Sequence, residues 1–155
     1  MIIIGAMAEN RVIGRGDGMP WDVPEEYEHF LRIIDGETVV IGRRSYEIFG
    51  ESLTSAHNVV VSRSTASIPG ATVASSVPEA VRVAKSLRRK VFSAGGASIY
   101  AQTIPLADAM YLSYIKGEFT GDAYFPEFDE REWVVERREE HARFVFVVYG
   151  RRGRL

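Results

Sequence analysis

Residues 14–32 read GRGDGMPWDVPEEYEHFLR, and the rest of the chain is organised around them. Gly14, Gly16, Asp17 and Gly18 are turn formers, with two glycines flanking the charged tip, so the stretch opens as a loop. Met19-Pro20-Trp21 sets large apolar groups beside a rigid proline. Asp22 and Pro24 mark a helix start, with the proline in the first turn and acids behind it. The helix continues through Leu31. Glu26 lies four residues and Tyr27 three residues before Phe30, so the three share a face. A carboxylate on an apolar face is costly unless something pairs with it. The stretch reads as a mobile loop leading into a helix that points one acid inward. The competing reading, Glu26 as one more acid on a polar face with Glu25 and Glu28, stays open at this point.

Working outward, Ile2 to Met7 is wholly apolar, the pattern of a strand buried on both faces. Further strands are expected at Glu37 to Gly42, Asn58 to Ser62, Ala71 to Ala74, Lys90 to Ser93 and Ala109 to Ile115. Helices are expected from Arg43 to Phe49, Val77 to Leu87 and Ala97 to Thr103. Trp133 to Arg138 and Phe144 to Gly150 leave no room for a crossover helix, which makes them an antiparallel closing pair. The expectation is a single α/β domain, 1–155, with a mostly parallel twisted sheet, an antiparallel C-terminal strand and helices on both faces. Ligands of such sheets bind at the carboxyl ends of the strands.

The 155 residues carry a formal net charge of −2, which gives no basic surface for nucleic acid and no excess for a charged membrane face. There is no cysteine, which excludes disulfides, thiol catalysis and thiolate metal sites and agrees with a reducing cytoplasm. MIIIGAMAENR lacks the basic start and cleavage site of a signal peptide, and no apolar run reaches the roughly 20 residues of a membrane helix. His29, His57 and His141 share no metal-ligand spacing and are expected on the surface or in loops; no metal is expected. Glu136 to Arg143 reads as a solvated hairpin region, and Arg151 to Arg154 as a frayed basic tail.

Two strand-to-helix junctions suit an anion. Gly42-Arg43-Arg44-Ser45 sets a glycine, two cations and a hydroxyl at a helix start, and Ala94-Gly95-Gly96-Ala97-Ser98 does the same with small residues. Arg63 adds a cation at a third strand end. Neither junction is a Rossmann or Walker loop, so each is weak alone. Together they suggest a ligand with several phosphates.

In order along the chain, NRVIG (Asn10 to Gly14), MPW (Met19 to Trp21), Pro24-Glu25-Glu26, Phe30-x-Arg32, VVIGRRSYE (Val39 to Glu47), VVSRS (Val60 to Ser64), AGGASIY (Ala94 to Tyr100) and GDAYFPEF (Gly121 to Phe128) resemble the dihydrofolate reductase family over nearly the whole length. The resemblance implies an oxidoreductase of one-carbon metabolism. Its cofactor is NADPH, its partner a small-molecule pterin, and it works as a cytoplasmic monomer. Glu26 matches the pocket acid that holds the pterin edge, and Ser113 the hydroxyl bridging acid to pterin. Ile4, Gly5, Ala6, Tyr27, Phe30 and Phe49 match the pocket wall, and Trp21 and Met19 the loop edge that shields the ring. Ala6, Ile13, Gly95, Gly96 and Tyr100 match the nicotinamide surroundings, Tyr100 also a catalytic position. Gly42, Arg43, Arg44, Ser45, Ala97, Ser98 and Ile99 match the phosphate junctions, and Ser62 and Arg63 fall near the adenosine 2′-phosphate. Gly14 to Gly18 matches a lid, and Asp122 its anchor.

One departure bears on the substrate. Where the family commonly has an arginine for the folate glutamate, LTSAHNVV (Leu53 to Val60) has Ala56, with His57 beside it. Dihydrofolate bound by Arg32 or His57, or a pterin without that glutamate such as dihydromethanopterin, are the two substrate readings. A reductase of the riboflavin pathway shares the fold but usually lacks the segment holding Trp21 and Glu26.

Overall fold

The apolar runs become the inner strands of one sheet, as their lack of alternation requires. The computed structural model describes residues 1–153. In chain order the elements are β1 (Ile2–Ala8), β2 (Val12–Gly14), α1 (Pro24–Ile34), β3 (Thr38–Gly42), α2 (Arg43–Phe49), β4 (His57–Val61), β5 (Thr72–Ala74), α3 (Val77–Ser86), β6 (Val91–Ser93), α4 (Ala97–Thr103), β7 (Ala109–Ile115), β8 (Ala123–Tyr124), β9 (Trp133–Glu140) and β10 (Phe144–Arg151). The main sheet runs β5-β4-β3-β6-β1-β7-β10-β9. Its pairings are parallel from β5 to β7; β10 then pairs antiparallel with both β7 and β9.

Alternation along the strands divides the core. Ile3 and Met7 of β1 join Tyr100, Ile104, Met110 and Leu112 under α4. Ile4 joins Ile34, Val39, Ile41 and Phe92, against which Phe30, Ile33 and Tyr46 of α1 and α2 pack. Helix α3 turns Ala80 and Ala84 onto Val40, Val59 and Val91 on the opposite face from α1. Each branched side chain so buried contributes about 1.5–3 kcal/mol, and that packing, more than helix propensity, fixes the short helices.

The expected elements form, α2, α4 and β7 with the bounds read from sequence. Three points differ. Helix α1 starts at Pro24 with no side-chain cap; Asp22 instead offers its carbonyl to Arg143 at 3.2 Å. The short ladder β2–β8 was not expected. The frayed tail is wrong for Arg151, whose guanidinium donates to the carbonyls of Ala107 (2.8 Å) and Ile104 (2.6 Å) and stacks on Trp133, and for Arg152, which donates to the Arg131 carbonyl at 2.9 Å. Arg154 lies outside the described residues.

Candidate active site

Ala6 of β1, Ser113 of β7 and Phe146 of β10 stand in one cross-strand row, because Ser113 pairs in register with both of the others. Helix α1 lies over this row and turns Glu26 toward it. A cleft results, walled by Ile4, Ala6, Tyr27, Phe30, Phe49 and Tyr111, with Glu26 and Ser113 as its polar groups at that wall. Glu26 is 5% exposed, the one buried carboxylate among the described residues. Burial pushes its carboxyl up to about 7, while the hydrogen bond from Ser113 pulls it back down. The polar-face reading of Glu26 is thereby set aside.

Tyr100 forms part of the back wall. Its hydroxyl donates to the Ile4 carbonyl at 2.8 Å, and burial, then the charge of Glu26, raises the phenol well above its ordinary range. Its ring lies so close to the chain that a β-carbon at Gly5 would overlap the hydroxyl. A β-carbon at Gly95, whose φ is +96°, would come within 2.9 Å of the ring. Glycine is required at both places.

A second cleft continues from the first through Ile13, Ser45, Phe49 and Gly96, which line both. It is floored by the starts of α2 and α4. Gly42 donates its N–H to the Gly95 carbonyl at 2.8 Å, which holds the two junctions side by side. Neither helix has a side-chain cap, whereas α3, away from the cleft, is capped by Ser76. First-turn N–H groups therefore face an open cleft edged by Arg43, Arg44 and Ser98, a donor set suited to phosphates. Arg43 pairs with Glu47, and Arg44 reaches the Gly16 carbonyl and Asp17, each at 3.3 Å. These pairs are exposed and readily exchanged. Val61 pairs with Gly42, so Ser62 and Arg63 leave the sheet beside this cleft without lining it.

The loop at Gly14 is a tight hairpin, closed by reciprocal backbone bonds between Arg15 and Gly18 of 2.8 and 3.2 Å. Asp122 fastens it: its carboxylate accepts from Gly16 N–H at 3.1 Å, and its own N–H donates to the Gly14 carbonyl at 3.0 Å. Trp21 and Met19 edge a third, shallow hollow that shares Glu26, Tyr27 and Phe49 with the first cleft.

The structure brings most of the expected site residues to these connected hollows; Ser62, Arg63 and Gly95 flank them. Ile33, Leu53, Tyr111 and Phe146 line the first cleft without having been expected there. Ile33 was available from its three-residue spacing to Phe30; Tyr111 and Phe146 depend on sheet register. Among the described residues, no lysine or arginine lines the first cleft, and Ala56, His57 and Arg32 are exposed. One histidine differs from expectation: His29 is half-buried, lines the first cleft and meets His141 and Glu139, whereas His57 is exposed and His141 lies in the hairpin turn. Burial, then the charges of His141, Arg32 and Arg137, holds His29 below its ordinary pKa.

The chain as a whole resembles known proteins. The family model described as dihydrofolate reductase matches residues 1–151. Dihydrofolate reductase of Bacillus subtilis (strain 168) is 36% identical over 138 residues, covering 88% of this chain and 82% of that protein. Dihydrofolate reductase HdrB of Haloferax volcanii is 35% identical, covering 97% and 83%. Among solved structures, dihydrofolate reductase from Enterococcus faecalis complexed with NADP(H) and RAB-propyl superposes with a TM-score of 0.87 at 25% identity, covering 97% of this chain and 95% of that one. Sequence and geometry converge, and the chain belongs to the dihydrofolate reductase family.

Proposed function

We propose that the chain reduces 7,8-dihydrofolate to 5,6,7,8-tetrahydrofolate with NADPH, by hydride transfer to pterin C6 and protonation at N5. The observation that carries this reading is Glu26, a buried carboxylate that shares an apolar cleft with Ser113, the cleft opening directly onto the phosphate-suited one. Bound NADPH supplies the hydride. Ala6, Ile13, Gly96 and Tyr100 would surround its nicotinamide. Arg43, Arg44, Ser45, Ala97 and Ser98 would hold its phosphates, and Arg63 with Ser62 would favour the 2′-phosphate by charge.

Glu26 pairs with the donor edge of the pterin, orients the ring and favours its protonated form. Ser113 bridges acid and ring. Tyr27, Phe30 and Phe49 pack on the pterin, and Trp21 and Met19 cover it. Water delivers the N5 proton, since among the described residues the first cleft holds no second carboxylate. The Gly14–Gly18 hairpin, released from or fastened by Asp122, closes the cleft against bulk water.

The same reading takes residues 1–155 as one domain, a cytoplasmic monomer acting on a small pterin without nucleic acid or membrane. Both clefts being lined from a single chain, the net charge of −2 and the absence of cysteine support it. No described helix is long and apolar enough to cross a membrane.

A second substrate reading has one observation in its favour: Ala56 stands where a cation would meet the folate glutamate, and among the described residues no lysine or arginine lines the cleft. The test of both is NADPH oxidation over concentration series of dihydrofolate and of dihydromethanopterin. Saturation at micromolar dihydrofolate is expected. Weak saturation with dihydrofolate beside tight use of dihydromethanopterin would transfer the assignment to the second pterin.

A further inference from the structure

At the edge of the first cleft, where His29 and Phe146 form part of its lining, the β9–β10 hairpin folds its tip against helix α1. Arg143, in the hairpin turn, reaches Glu25 with both Nε (2.7 Å) and Nη2 (2.5 Å). Glu25 and His29 are four residues apart and so present one helix face to the hairpin. Opposite His29 stand Glu139 and His141, two residues apart along an extended chain and therefore on one side of it. The rings stack closely: His141 lies parallel to Phe144 at 4.3 Å, and His29 meets Phe146 edge-on at 4.4 Å. Aromatic packing from below thus fixes the direction of both imidazoles.

The three ligand-type atoms converge. Glu139 Oε1 lies 3.4 Å from His141 Nε2 and 3.9 Å from His29 Nε2, and the whole set falls within 4.8 Å. Donor atoms held about 2.0–2.2 Å from a tetrahedral zinc ion are about 3.4 Å apart. Glu139 and His141 already have that separation, and His29 needs an adjustment that a side-chain rotation supplies. The Nδ1 atom of His29 is buried with no partner among the described residues, which leaves Nε2, the nitrogen facing Glu139, to coordinate. Glu139 also pairs with Arg137, which steadies the carboxylate; Arg32 and Arg137 are the cations whose charge opposes an ion at the centre.

We propose that His29, Glu139 and His141 form a binding site for a borderline divalent metal ion of the zinc class, which ties the β9–β10 hairpin to helix α1. Two imidazoles and one carboxylate select zinc, cobalt, nickel or copper over magnesium or calcium, which favour all-oxygen sites. A water completes the shell on the exposed side. The ion adds a second tie to the Arg143–Glu25 clamp, one turn further along the helix. Glu26 lies between the two ties, so metal binding secures the helix that carries the cleft's acid, and it does so at the cleft's edge, since His29 also lines that cleft.

The test uses the full chain without a histidine tag, freed of metal by chelation. Cobalt(II) titration followed by visible absorption reads coordination, and thermal unfolding with and without zinc chloride reads linkage. One ion per chain is expected to bind with a micromolar or lower Kd. At zinc a hundredfold above Kd, the unfolding midpoint should rise by roughly 5 °C or more. His141→Ala and Glu139→Gln should each weaken binding at least tenfold, while His57→Ala, which removes the histidine outside the cluster, should not. Binding only at millimolar metal, or a loss below tenfold in both cluster variants, overturns the proposal. Glu139→Gln keeps nearly the same shape, so it decides the matter if His141→Ala folds poorly.

Discussion

Ser113 of β7 shares the first cleft with the Glu26 carboxylate of α1, and its hydroxyl opposes the burial that pushes that carboxyl up to about 7. Two neighbouring elements therefore set the proton affinity of the cleft's acid in opposite directions.

The pH dependence should show this contest. If the protonated acid is the productive form in the free enzyme, kcat/KM with dihydrofolate falls as pH rises through about 7. Ser113→Ala removes a donor that favours the charged form, so the falling limb should move to higher pH, by about half a unit to one unit for a hydrogen bond of about 1 kcal/mol. An unmoved or acid-shifted limb, measured across the neutral range, would contradict the coupling.

Stability should respond to the same carboxyl. Glu26 has a folded-state pKa raised from 4.5 to about 7. Below 4.5 both folded and unfolded chains hold the proton, and there is no difference. Between these values the unfolded chain releases it while the native chain keeps it, so stability falls as pH rises, and the full cost persists above about 7. Glu26→Gln does not titrate and should be more stable than the wild type by up to about 3 kcal/mol at mildly alkaline pH, the gain vanishing in acid. Urea unfolding at both pH values measures it; equal midpoints in alkali would count against a buried carboxylate.

Closure of the proposed lid should depend on a residue remote from Glu26. Asp122→Ala removes the acceptor for Gly16 N–H, a bond of 3.1 Å near the surface. A loss of about 1 kcal/mol in the closed state corresponds to roughly fivefold slower turnover or weaker NADPH binding. Asp122→Asn keeps an acceptor oxygen and should recover most of it. Stopped-flow hydride transfer with both variants is the check, and Asn behaving as Ala would point to charge instead of the backbone bond.

How much of this was legible in the sequence follows from how local each signal is. Helices α2 and α4 have the bounds expected, because glycine junctions punctuate them. The four-residue spacing of Glu26 to Phe30 made it a candidate for the buried side of an amphipathic helix, and the family resemblance, not the spacing, chose it over the polar-face reading. The β2–β8 ladder was not: strands of three and two residues carry no periodicity, and their pairing joins distant parts of the chain with a register shift. Tyr111 and Phe146 became cleft residues only through the register of β7 with β1 and β10. The meeting of His29 with Glu139 and His141 has no trace in local spacing, since it depends on how the hairpin folds onto α1. Arg151 looked like a tail residue because charge alone does not reveal that its guanidinium completes exposed carbonyls at the end of α4.

The most direct test of the central claim is turnover of Glu26→Gln with saturating dihydrofolate near neutral pH, paired with NADPH binding by fluorescence. The account predicts a loss of at least about hundredfold in kcat, the usual scale for a positioned acid, with the NADPH Kd within about twofold of the wild type. Turnover within about threefold of the wild type would mean that Glu26 is not the acid on which the reaction depends.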